Sequence, residues 1–160
     1  MPVHRLIVRI CAVFAIALLA LASQPALAGE RPKILLVCQF GTVKSAITRE
    51  LLIRRATQRG IALKAWSRGI TPEQHLAPAL LPRLRAEQID PRRQPLRPLT
   101  PRDAARADLI IAFDPLPPSF SRAKVRDWSD VPSMNSSYDA ARRVIDQRID
   151  ALLDQLVRKR

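Results

Sequence analysis

Histidine, cysteine and aromatic residues are scarce in this 160-residue chain, and each scarcity removes a class of function. The two histidines are His4 and His75. With no second His or Cys at ligand spacing from His75, a zinc centre has nothing to be built from, and no metal or other cofactor is expected. Phe, Trp and Tyr together make up 4% of the residues, with no interleaving of aromatic and basic side chains of the kind that stacks on bases. Nucleic acid is therefore not an expected partner, although 27 Lys and Arg stand against 14 Asp and Glu for a net charge of +13. Arginines scattered along the chain instead make a basic surface that draws anionic substrates toward a site.

Long apolar runs are also lacking, with one exception. Behind His4, Arg5 and Arg9, the stretch from Ile10 to Ala22 carries no charge; Ser23, Gln24 and Pro25 then break it before Ala26-Leu27-Ala28. A basic start, an apolar centre and an A-x-A site form the pattern of an export signal. Its apolar part, roughly 13 residues, falls short of the ~20 that a spanning helix needs. Residues 1–28 are expected to be a signal peptide cleaved after Ala28. That implies an exported protein, periplasmic or secreted, with no stable membrane anchor after cleavage. The remaining segment, 29–160, is the size of one compact domain, and loss of Arg5 and Arg9 leaves it at a net +11. Of the two cysteines, Cys11 leaves with the signal, so Cys38 stands alone and no intramolecular disulfide is possible. A lone thiol in an oxidising compartment is either buried and inert or kept for its chemistry.

The pattern of what remains alternates. Lys33 to Val37 reads as a strand buried on both faces. Ser45 to Gln58 carries Ile47, Leu51, Leu52 and Ile53 at helical spacing, and Gly60 stops it. Ile61 to Trp66 reads as a second strand, and Ala79 to Gln88 as a helix behind Pro78. Thr100-Pro101-Arg102-Asp103 is a helix-capping signature. Leu109 to Phe113 is expected to be a central strand and Ala123 to Trp128 a fourth. Tyr138, Ala141, Ile145, Ile149, Leu152, Leu153 and Leu156 mark one face of a long last helix. Strands alternating with helices predict an α/β fold, a three-layer sandwich with a four-stranded parallel sheet flanked by helices.

Ligands in open parallel sheets bind beyond the carboxyl ends of the strands, and Cys38 closes the first one. The residues after it, Gln39-Phe40-Gly41-Thr42-Val43-Lys44-Ser45, lead directly into a helix. Backbone amides of such a loop, at a helix N-terminus, suit an oxyanion and stabilise a thiolate. Here the chain resembles the low-molecular-weight protein tyrosine phosphatase family, whose signature is a strand ending in Cys, five residues, Arg and Ser, followed by a helix. The resemblance spans Ile34 to the final helix.

Carried over residue by residue, the resemblance makes Cys38 the nucleophile and Ser45 a hydrogen-bond partner of its sulfur. The loop Gln39, Phe40, Gly41, Thr42, Val43 and Lys44 becomes the phosphate cradle. Gly41 stands where the family usually has a left-handed Asn, a conformation Gly adopts without strain. Three positions depart: Phe40 replaces a glycine, Val43 a second cysteine or small residue, and Lys44 the arginine. An ammonium keeps the attraction but loses the planar, two-pronged grip of a guanidinium. That loss is worth about 2 to 4 kcal/mol in the transition state, about 30- to 1,000-fold in rate. The family's general acid, an Asp-Pro ahead of the last helix, falls on Asp130, with Asp127 and Asp114 as successive alternatives. Trp128 or Tyr138 would line the site's mouth or pack, with packing favoured for Tyr138.

The expected chemistry is hydrolysis of phosphate monoesters, of phosphotyrosine or aryl phosphate type, through a cysteinyl-phosphate, at reduced or altered activity. A phosphorylated protein or a small phosphate ester would be the partner. Two alternatives stand beside it: a phosphate-binding module without turnover, and an arsenate reductase-like protein. The latter needs a disulfide relay that one cysteine cannot supply within the chain.

Overall fold

The computed structural model describes residues 31–120 and 124–158. The expected signal peptide, residues 1–28, lies outside the described residues. The first strand, β1 (Lys33–Cys38), pairs in parallel with β2 (Lys64–Gly69) on one side and β3 (Leu109–Ala112) on the other, and β4 (Val125–Asp127) adds to β3. The four-stranded parallel sheet thus has the order β2-β1-β3-β4, with β1 inside it. A strand paired on both edges and covered on both faces needs an unbroken apolar run, which is why Ile34 to Cys38 are all buried.

The period-two pleat of β1 divides its side chains between two cores. Ile34, Leu36 and Cys38 face the larger one, with Ile47, Leu51 and Leu52 of α1 (Lys44–Gln58) and Ile145, Ile149 and Leu152 of the last helix, α4 (Tyr138–Arg158). Leu35 and Val37 face the smaller one, with Trp66, Ala107 and Ile110. Between β2 and β3 lie two short helices, α2 (Leu81–Ala86) and α3 (Pro101–Arg106). The Thr100 cap is formed as expected: its hydroxyl accepts from Asp103 N–H while the Asp103 carboxylate accepts from Thr100. The same carboxylate accepts from Trp66 Nε1 at 3.1 Å and pairs with Arg68 at 2.9 Å, tying α3 to β2.

Several boundaries differ from expectation. The second strand is Lys64–Gly69 rather than Ile61–Trp66. Gly60, at φ +65°, reverses the chain, and Ile61 N–H then bonds back to Ala56 O at 2.8 Å, so Ile61 caps α1 instead of opening a strand. Pairing starts only where Lys64 N–H reaches Pro32 O, which carries Ser67, Arg68 and Gly69 to the end of the sheet beside Cys38. The helix expected over Ala79 to Gln88 is a 3-10 turn, Pro78–Leu80, followed by α2; Pro82 fits in the first turn of α2, where its missing N–H costs nothing. Of the fourth strand expected over Ala123 to Trp128, Val125–Asp127 pairs with β3, and Ala123 lies outside the described residues. Some of the basic excess is internal: Arg49 is fully buried, donating to Glu50, Ser67 Oγ and Pro91 O.

Candidate active site

At the end of β1 the chain turns sharply from Cys38 into α1, whose first residue is Lys44. No side chain caps this helix at Val43 and its first turn carries no acid, so no side chain of its own offsets the positive end of its dipole. Cys38 is buried, with its Sγ 3.0 Å from Ser45 Oγ, and Gly41 N–H donates to the sulfur at 3.2 Å. An amide and a hydroxyl therefore both meet this sulfur at the start of a helix.

Two glycines make this turn possible. Gly41 sits at φ +77°, and a Cβ there would lie 2.7 Å from Gly69 N and 2.9 Å from Leu96 Cδ1. On Gly69 a Cβ would lie 2.8 Å from Phe40 O. The loop and the end of β2 therefore touch backbone to backbone.

Lys44 lines the pocket with Cys38, and its ammonium also approaches two backbone carbonyls. Its Nζ lies 3.4 Å from Phe113 O and 3.5 Å from Val131 O, two carbonyls following β3 and β4. Gln39, expected in the cradle, turns its N–H to Asp114 Oδ2 at 2.9 Å, and its side chain donates to Thr71 Oγ1. Asp114, just past β3, also lines the pocket.

The outer wall comes from two segments for which periodicity offered no signal. One is 71–77, stitched to the Cys38 loop by Thr71 N–H to Gln39 O, Glu73 N–H to Phe40 O, and Thr42 Oγ1 to Glu73 O. It brings His75 against Phe40, ring centroids 4.3 Å apart. The other is Ser133, Met134 and Asn135, between β4 and α4. Asn135 joins the two walls, donating to His75 O at 2.7 Å and accepting from Ala77 N–H at 3.1 Å.

With this geometry in place, the known relatives can be compared. The model of the low molecular weight phosphotyrosine protein phosphatase family matches residues 33–116, just over half of the chain, from β1 through the Cys38 loop to Asp114. The chain belongs to this family. Solved structures of the same fold include YfkJ from Bacillus subtilis, at 19% identity and TM-score 0.69, covering 82% of this chain and 98% of that one. Wzb from Vibrio vulnificus, in complex with benzylphosphonate, superposes at 17% identity and TM-score 0.62, over 78% of this chain and 99% of that one. A thioredoxin-dependent arsenate reductase from Corynebacterium glutamicum matches at 21% identity and TM-score 0.61, over 84% of this chain and 66% of its own. No curated protein matches the sequence significantly.

The matched stretch ends before β4, and there the placement of acids departs from expectation. Asp130 does not line the pocket: Arg148 of α4 draws it outward, donating to Oδ1 at 2.8 Å, and the Asp130 side chain is 69% exposed. The Arg148 hydrogen bond also holds its carboxyl below the ordinary carboxylate range, the wrong direction for a proton donor. Asp127 accepts from Ser129 N–H at 2.7 Å, closing a turn. The nearby segment instead contributes Ser133, Met134 and Asn135 to the pocket, so of the three candidate acids only Asp114 reaches it. Trp128 and Tyr138 pack: Trp128 sits edge-on to Phe113, and Tyr138 OH donates to Glu87. Among the described residues Cys38 is the one free cysteine, and no cluster of potential metal ligands occurs. No helix of the described residues is long and apolar enough to cross a membrane.

Proposed function

We propose that this phosphatase-family member hydrolyses phosphate monoesters of phosphotyrosine or aryl phosphate type through a cysteinyl-phosphate on Cys38, and does so slowly. The observation that carries this reading is the Cys38 sulfur receiving the Gly41 N–H at the uncapped start of α1. In that setting the thiolate attacks phosphorus, an S–P bond forms and the ester P–O bond breaks. Loop amides meet the charge growing on the phosphoryl oxygens. Water then attacks phosphorus, the S–P bond breaks, and inorganic phosphate leaves with Cys38 restored.

Lys44 supplies charge to this pocket without a guanidinium's planar grip, and its Nζ is shared with Phe113 O and Val131 O. That is the ground for expecting slow turnover. Phosphorylated proteins or small phosphate esters of the envelope or the exterior are the proposed substrates, following the export pattern of residues 1–28.

The same ties of Lys44 favour a second reading, a phosphate-binding module without turnover. Turnover of an aryl phosphate by the wild type, Cys38→Ser and Lys44→Arg separates the two. Wild-type turnover no greater than that of Cys38→Ser, with inorganic phosphate still bound, establishes the module. A gain of about 30-fold or more in Lys44→Arg identifies the missing guanidinium as the limitation.

A further inference from the structure

Cleavage of a phosphate ester leaves an oxygen that must be protonated, and the segment between β4 and α4 brings to the pocket only Ser133, Met134 and Asn135, none of them an acid. Asp130 faces Arg148 instead. Two other groups that exchange protons line the pocket with Cys38 and Lys44: Asp114 and His75. Asp114 is on the inner side, with Oδ2 accepting the Gln39 N–H, so it holds the start of the loop. His75 is exposed and lines the same pocket beside Phe40.

The histidine is held in place from both directions. Its backbone N–H donates to Thr42 Oγ1 at 3.2 Å, its backbone carbonyl accepts from Asn135 Nδ2 at 2.7 Å, and its ring lies against Phe40, so both loops hold it at the pocket. Imidazole is the side chain best suited to proton transfer near neutral pH.

We infer that His75 is the proton donor to the leaving oxygen, a catalytic residue in the hydrolysis proposed above, on which the assignment rests. As Cys38 Sγ bonds to phosphorus and the ester oxygen departs, the imidazolium gives that oxygen its proton and becomes neutral. The neutral ring then takes a proton from the water that attacks the cysteinyl-phosphate, and inorganic phosphate leaves. Proton, thiolate and imidazolium are all restored after one cycle.

The test uses the purified full chain and two esters differing in leaving group: phenyl phosphate, whose departing oxygen needs a proton, and 4-nitrophenyl phosphate, whose phenolate departs far more readily. His75→Gln keeps the size and a hydrogen-bonding amide and, at an exposed position, leaves folding intact. It is expected to lose about 100-fold in kcat/KM, which covers only the steps through departure of the phenol, on phenyl phosphate and several-fold less on 4-nitrophenyl phosphate. Equal losses in kcat/KM on both esters overturn the assignment, making His75 a wall only. A leaving-group-dependent loss in Asp114→Asn, absent from His75→Gln, overturns it in favour of Asp114. Wild-type turnover no better than Cys38→Ser on either ester overturns the hydrolase reading itself. That failure is distinct from the first two, in which the wild type turns over.

Discussion

Gly69→Ala is expected to change the reactivity of Cys38 without touching it. A Cβ at Gly69 meets Phe40 O at 2.8 Å, Phe40 C at 2.9 Å and Gly41 N at 3.1 Å, all backbone atoms that cannot swing aside. Restoring ordinary contact of 3.4 Å requires the Phe40-Gly41 peptide to retreat by roughly half an ångström, an overpacking cost of about 1 to 3 kcal/mol. Against it stands a gain of about 0.4 to 1 kcal/mol from a stiffer unfolded chain. The net is about 1 to 2 kcal/mol, a few degrees in melting temperature. The functional effect is sharper because the displaced peptide carries the N–H that reaches Cys38 Sγ. Halving a charge-assisted hydrogen bond worth about 2 kcal/mol slows alkylation of Cys38 by iodoacetamide about fivefold at fixed pH. Gly60→Ala is the control: it suffers the strain of φ +65° with nothing within 4 Å, so it loses stability and leaves alkylation unchanged. A Gly69→Ala protein with wild-type melting temperature and alkylation rate would refute the backbone-contact reasoning.

Two further outcomes follow from side chains outside the loop. Asp130→Asn is expected to change turnover of an aryl phosphate less than about threefold, because the Asp130 carboxylate is engaged by Arg148 on the outer surface; a loss of about 100-fold in kcat would return Asp130 to the role of general acid. Asp103→Asn is expected to cost about 2 kcal/mol at neutral pH by removing the carboxylate that pairs with half-buried Arg68, which keeps its hydrogen bond to Ser67 O, as measured by urea unfolding. Burial raises the Asp103 carboxyl, but hydrogen bonds from Thr100 and Arg68 outweigh it and hold the carboxyl below its ordinary value. Its stabilisation is therefore full at neutral pH and fades as pH falls below about 4, so the two proteins converge in acid; a constant gap between pH 7 and pH 3 contradicts this.

Much of the fold is legible in the chain because its signals are local. The run Ile34 to Val37 permits only a strand buried on both faces, the stripe from Tyr138 to Leu156 only a one-sided helix, and Thr100 with Asp103 only a cap. The second strand was misplaced because Ile61 to Trp66 is apolar for two different reasons: Ile61 packs as the cap of α1, whereas Trp66 packs in the sheet. Periodicity does not distinguish these. The orientation of the acids is illegible for a similar reason. Counting along the chain locates Asp130 near the pocket, but which way it turns is decided by Arg148, eighteen residues on and across the surface. His75 carried no sequence signal beyond being unable to build a zinc site alone, and Phe40 registered only as a departure from a glycine.

Strand, turn and helix signals act over a few residues, so the α/β class, the family and the passage from a strand ending at Cys38 into a helix are all carried by the chain itself. Tertiary structure decided what surrounds that cysteine. The mutual approach of Gly41 and Gly69, the approach of Lys44 to Phe113 O and Val131 O, the outward turn of Asp130 and the meeting of Phe40 with His75 all join segments distant in the chain. Contacts of that kind depend on packing and pairing geometry, which composition and spacing do not encode.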